Sequence, residues 1–222
     1  MSEHLQALQE ATGRLYDVFD VYQEQELDTE FEHLTTDNLN TLSVSDLTPV
    51  IQHLTAQDGS ILLRFLPRIL ELCIDGYYRW SISLDAVFST LNTCNWREWS
   101  EIEQRSIENF MRSLWLYHLS NVSPTGTHSS ADTLLEAISQ VMDVQPFLDV
   151  WMDISGASAT AHIASLTVYG KKRLRDVRHW LSQPNILQRI EAAFWDSDNI
   201  YHAAMFAKAV DYLRLIHSPM PA

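Results

Sequence analysis

"NWREWSEIEQRSIENFMRSLWLYHL", residues 95–119, decides the fold. Trp96, Trp99, Ile102, Ile107, Phe110, Leu114 and Trp115 recur in it at helical spacing, so the large apolar side chains gather on one stripe of an amphipathic helix. Asn95 reads as the N-cap, and Glu98, three residues on, as its partner in a capping box. The same period recurs on both sides of this stretch. Upstream, Leu5, Leu8, Leu15, Val18, Phe19 and Tyr22 mark a first helix. Residues 43–57, "SVSDLTPVIQHLTAQ", supply a capping Ser45 and a Pro49 read in a first turn. "DGSILLRFLPRILELCID" (58–75) is helical, and Ser83 opens another helix with Leu84, Val87, Phe88 and Leu91.

Downstream, helical patterns fill residues 130–142, 144–154, 156–170, 173–183, 184–195 and 199–217. No run of alternating residues bounded by turn signals competes as a strand. The expectation is an all-α protein of about ten antiparallel helices, arranged as an irregular bundle or as a HEAT-like stack of helical hairpins. "SNVSPTGTHSS", residues 120–130, is polar, carries a Pro and a Gly and lacks periodicity, which predicts an exposed loop within a single domain spanning residues 1–222.

A chain of 222 residues buries a sizeable core, and 46% hydrophobic residues is a globular composition. The formal net charge of −14 argues against nucleic acid or anionic lipid as partner, since both select an excess of Lys and Arg. The partner expected is another protein, basic or apolar at the contact. The N-terminus lacks the layout of a signal peptide and charges interrupt every long apolar run, so a cytoplasmic protein off the membrane is expected. Cys73 and Cys94 are the only cysteines, and both read as reduced packing residues.

In "FLPRILEL", residues 65–72, Pro67 cannot donate to the carbonyl of Leu63, so the helix is expected to kink or restart there while its apolar stripe runs on through Leu62, Phe65, Leu66, Ile69, Leu72 and Cys73. Arg64, Arg68, Glu71 and Asp75 read as a charge ridge whose order, positive before negative, opposes the helix dipole. Three readings stand: the ridge is solvated, its arginines face carboxylates from elsewhere in the chain, or they hold a ligand anion. In the second reading Arg68 should meet a carboxylate outside residues 61–75.

Residues 58–115, with their FLPRxLEL-type stretch and the Trp-rich helix downstream, resemble a family of bacterial all-helical proteins of uncharacterised function. The resemblance brings no activity. Members often carry clustered cysteines upstream of the FLPR stretch, and residues 28–45 here contain none, so no metal site of that kind is expected.

Residues 17–37 hold Asp17, Asp20, Glu24, Glu26, Asp28, Glu30, Glu32 and Asp37 with no Lys or Arg among them. The basic counterpart is Lys171, Lys172, Arg173, Arg175 and Arg178. Glu24, Glu26, Glu30 and Glu32 are candidates for a partner surface, as is the aromatic loop of Tyr77, Tyr78 and Trp80, which would be costly to leave exposed. Glu30, His33 and Asp37 form one weak metal-like constellation, and no metal or cofactor is assigned. Glycine-rich phosphate loops, GxSxG, HExxH and CxxC are absent from the sequence.

Two functions therefore stand. One is a non-catalytic protein-binding or scaffold module, acidic, that neutralises a basic partner in the manner of an antidote or immunity protein. The alternative is an enzyme with a pocket inside the bundle lined by carboxylates, such as Glu71, Glu101 and Glu103, and by tryptophans such as Trp96, Trp99 and Trp115.

Overall fold

A computed structural model describes residues 2–23, 34, 39–53, 59–76, 84–121, 131–170 and 174–217. Among them are eleven α-helices and no strand: α1 (Glu3–Phe19), α2 (Val44–His53), α3 (Gly59–Gly76), α4 (Leu84–Thr93), α5 (Glu101–Asn121), α6 (Ala131–Ile138), α7 (Gln145–Asp153), α8 (Ala157–Tyr169), α9 (Arg175–Leu181), α10 (Pro184–Trp195) and α11 (Ile200–His217). The all-α reading of about ten helices holds. No helix among the described residues is long and apolar enough to cross a membrane. The predicted loop at 120–130 lies, from residue 122 onward, outside the described residues.

Two capping assignments shift. Ser100, not Asn95, opens the long helix: Glu103 Oε2 accepts from the Ser100 N–H at 2.7 Å, and the Glu103 N–H lies 3.4 Å from Ser100 Oγ, forming a capping box over α5. Asn95 instead sits in the left-handed region at φ 51°, just past the end of α4, where Asn tolerates a conformation that most residues avoid. A short 3₁₀ turn, Trp96–Glu98, separates the two helices. Likewise Asp46 accepts from the Ser43 N–H at 2.7 Å ahead of α2, so Ser43 rather than Ser45 stands at that terminus and Pro49 lies inside the helix. At α2 only Ser43 has an acidic residue three positions on; ahead of α5 both Asn95 and Ser100 have one, and Ser100 is the one that bonds with its partner, Glu103.

The chain divides into two compact units. The first comprises Met1–Leu114 with Gln140–Met142. Here α3 is the hub, packed by α1, α2 and α4, and α2 also meets α4. Leu8, Leu15 and Phe19 of α1, Leu47 and Val50 of α2, and Val87, Phe88 and Leu91 of α4 are buried with nearly the whole circumference of α3. A central helix has no solvent side, which is why its apolar residues exceed one stripe. The helix runs through Pro67 as a single element rather than restarting. Cys73 is a free thiol in this core, and burial pushes its pKa up to about 12.

The second unit comprises Trp115–Ser139 with Asp143–Ala222. Its hub is α8, buried without a break from Ala159 to Thr167 and packed by α6, α10 and α11. Small side chains let three neighbours approach one helix. An aromatic chain runs through this core. The Trp115 and Trp151 rings lie edge to face at 5.1 Å, and Trp151 stacks on Trp180 at 5.0 Å. The Trp115 and Trp151 indoles donate to the carbonyls of Phe147 and Ala159, each at 3.0 Å, so they are buried with their polar atom satisfied. Arg189 of α10 donates to the carbonyls of Trp151 and Met152 at 2.9 and 3.2 Å, closing the C-terminus of α7 with a cation where the helix dipole is negative. In the first unit the main contacts join helices one or two places apart along the chain, and in the second α8 also meets α11, three places on.

Candidate functional site

The packing of α1 on α3 brings Tyr16, Arg68 and Glu71 together. Arg68 Nη1 lies 2.6 Å from Glu71 Oε2, and the Tyr16 hydroxyl donates to that same oxygen at 2.6 Å. Arg68 Nε donates to the Leu42 carbonyl at 2.9 Å. The carboxylate expected outside residues 61–75 is thus on the same helix, three residues on, and only a backbone carbonyl comes from elsewhere. The physical reason is proximity, since positions i and i+3 share one face. The unfavourable dipole order costs about 0.3–1 kcal/mol per charge, which a direct, partly buried ion pair offsets. Arg64 is not on a solvated ridge either: it is 7% exposed, its guanidinium carbon lies 5.8 Å from the Phe65 ring centre, and burial lowers its pKa.

This network lines a groove of about 770 Å³, with Leu5, Leu8 and Thr12 along the wall. Tyr16, Arg68 and Glu71 are occupied by one another and by the Leu42 carbonyl. Burial, with the hydrogen bond to Glu71 second, raises the Tyr16 phenol well above its ordinary value, so it stays protonated at neutral pH. The groove therefore offers no phenolate base.

The three carboxylates weighed as acid pairs sit in separate networks. Glu103 is spent on the α5 capping box and on the Tyr22 hydroxyl, whose pKa is pushed up to about 12 chiefly by burial. Glu101 is exposed and pairs with Arg105, one turn along the helix. Trp96 is buried under the Arg97 guanidinium, 4.1 Å from its ring centre, and Trp99 meets Phe19 edge-on at 6.3 Å. Trp115 belongs to the aromatic chain of the second unit. No group of three His, Cys, Asp or Glu among the described residues is placed to hold a metal.

Glu24, Glu26, Glu30 and Glu32, the loop of Tyr77, Tyr78 and Trp80, the Glu30–His33–Asp37 constellation and Lys171, Lys172 and Arg173 all lie outside the described residues. Arg175 and Arg178 are exposed on α9.

A surface that the sequence reading did not single out lies on α10 and α11. Trp195, Ile200, Tyr201 and Leu215 are 80, 78, 79 and 74% exposed, joined by Ile216 at 47% and Tyr212 at 40%. The other side of α11, with Met205, Phe206, Ala209, Val210 and Leu213, is buried. Helix α10 is held alongside α11 by the Arg214–Glu191 ion pair at 2.6 Å, and Trp195 lines a cleft of about 150 Å³ with Val210, Asp211 and Arg214. Its signal was present in residues 199–217, where apolar residues fall on every side of the helix although α11 is not central. No family model, curated protein or solved structure matches this chain.

Proposed function

We propose that the chain is a non-catalytic protein-binding module, and that the apolar face of α10 and α11 is its contact surface. One observation carries this reading: six large apolar side chains of α10 and α11 stand exposed. At roughly 200 Å² for each when fully exposed, they leave on the order of 800 Å² of residue surface in water in total. Half of the set, Trp195, Tyr201 and Tyr212, is Trp or Tyr, residues that anchor interfaces. The partner expected at this face is an apolar protein surface. A cytoplasmic setting is in keeping with two buried cysteines that form no disulfide.

The test is comparative capture from a native cell extract. Tyr201→Glu with Leu215→Glu alters two exposed positions and leaves the core of α11 intact. Proteins retained by the wild type and lost by the variant, with both melting alike, support the module. Identical retention by both contradicts it.

A further inference from the structure

The exposed face of α11 is patterned for one particular occupant. Tyr201, Ala204, Lys208, Asp211 and Leu215 are all exposed, and they follow one another at intervals of three, four, three and four residues. That is the a/d spacing of a coiled-coil seam, on the side of the helix turned away from its own unit. Lys208 and Asp211, at the centre of the seam, make no ion pair among the described residues.

We infer that this seam binds the same seam of a second copy of the chain, antiparallel, across a two-fold axis that passes between Lys208 and Asp211. The inference rests on the protein-binding reading and names its partner. In the antiparallel register Lys208 of each copy faces Asp211 of the other, so both unpaired charges find opposite charges. The same register sets Leu215 of each copy against Ala204 of the other, a large side chain against a small one. A parallel pairing would instead oppose Lys208 to Lys208 and Asp211 to Asp211. Polar residues at seam positions lower stability and fix orientation, and here they select one arrangement. A two-fold contact is self-complementary by construction, and this surface meets that condition in both charge and size. Trp195 borders the seam through the cleft it shares with Asp211, so α10 widens the contact.

Sedimentation equilibrium on the purified full chain tests this. The wild type should show a concentration-dependent rise to twice the monomer mass. Lys208→Asp would put two carboxylates opposite each other at each of two symmetric places, and Asp211→Lys two ammonium groups. Each single variant should raise the dimer dissociation constant at least about tenfold, because opposed like charges cost several kcal/mol. The double variant, Lys208→Asp with Asp211→Lys, restores both pairs and should dimerise within about threefold of the wild type. A misfolded variant would not be rescued by a second reversal, so rescue separates pairing from folding. A wild type that stays monomeric, or single variants that associate as the wild type does, overturns the inference. If the wild type is monomeric yet retains extract proteins that Tyr201→Glu with Leu215→Glu loses, the second copy is wrong and the module stands.

Discussion

Tyr16 of α1 and Glu71 of α3 are joined at 2.6 Å through an oxygen that Arg68 also holds at 2.6 Å. Two helices separated by more than fifty residues of chain are thus tied by one carboxylate, whose charge is compensated within its own helix. Tyr16→Phe removes the donor and nothing else. It should cost about 1–2 kcal/mol, as a hydrogen bond to a charged acceptor does. Urea unfolding followed by circular dichroism checks this, and an unchanged midpoint would show that water replaces the phenol at no cost.

The His118 and His162 rings lie 4.7 Å apart in the core of the second unit, both almost fully buried. Burial, with the neighbouring His162 second, pushes the His118 pKa down to about 3, against about 6.5 in an unfolded chain. Between those values the unfolded state binds the proton and the folded state does not. The stability contributed by this neutral histidine is therefore complete above pH ~6.5 and falls as pH drops toward 3, by about 1.4 kcal/mol per pH unit. Urea midpoints of the wild type and of His118→Phe between pH 7 and 4 should diverge, the wild type losing stability more steeply. Parallel curves would place the acid sensitivity elsewhere.

At the junction of α4 and α5 the two candidate caps make opposite predictions. Ser100→Ala should cost about 1 kcal/mol through loss of the α5 cap. Asn95→Gly should be neutral or slightly stabilising, since glycine takes the left-handed conformation without a Cβ penalty. Thermal melts of the two variants decide this, and a larger loss at Asn95 would return the cap to that residue.

Helix content was legible because side-chain period is a local property. Leu84, Val87, Phe88 and Leu91 all turn inward as their spacing required. What sequence spacing lacks is the identity of the neighbour. The Arg68–Glu71 pair was visible as two residues one turn apart, but the Tyr16 hydroxyl and the Leu42 carbonyl reach it only through the packing of α1 and of the segment before α2. Ile102, counted in the apolar stripe of α5, is instead 54% exposed, because that stripe is wider than the surface it covers. Trp151 and Trp180 escaped attention for a related reason: a single tryptophan in an apolar helix reads as core, and only the fold stacks two of them. The α10–α11 face was hidden similarly. An excess of apolar residues marks either a central helix, as in α3, or one with an uncovered apolar side, as in α11, and the distinction is tertiary.

The central claim is that the α11 face is a protein contact surface, and photo-crosslinking in the native cell tests it most directly. A benzophenone amino acid would replace Tyr201 on that face or, as a control, exposed Glu10 on α1. The account predicts a discrete adduct from position 201 that is missing from position 10, with a mass of two chains if the occupant is a second copy. No adduct at position 201, or the same adducts from both positions, would contradict it.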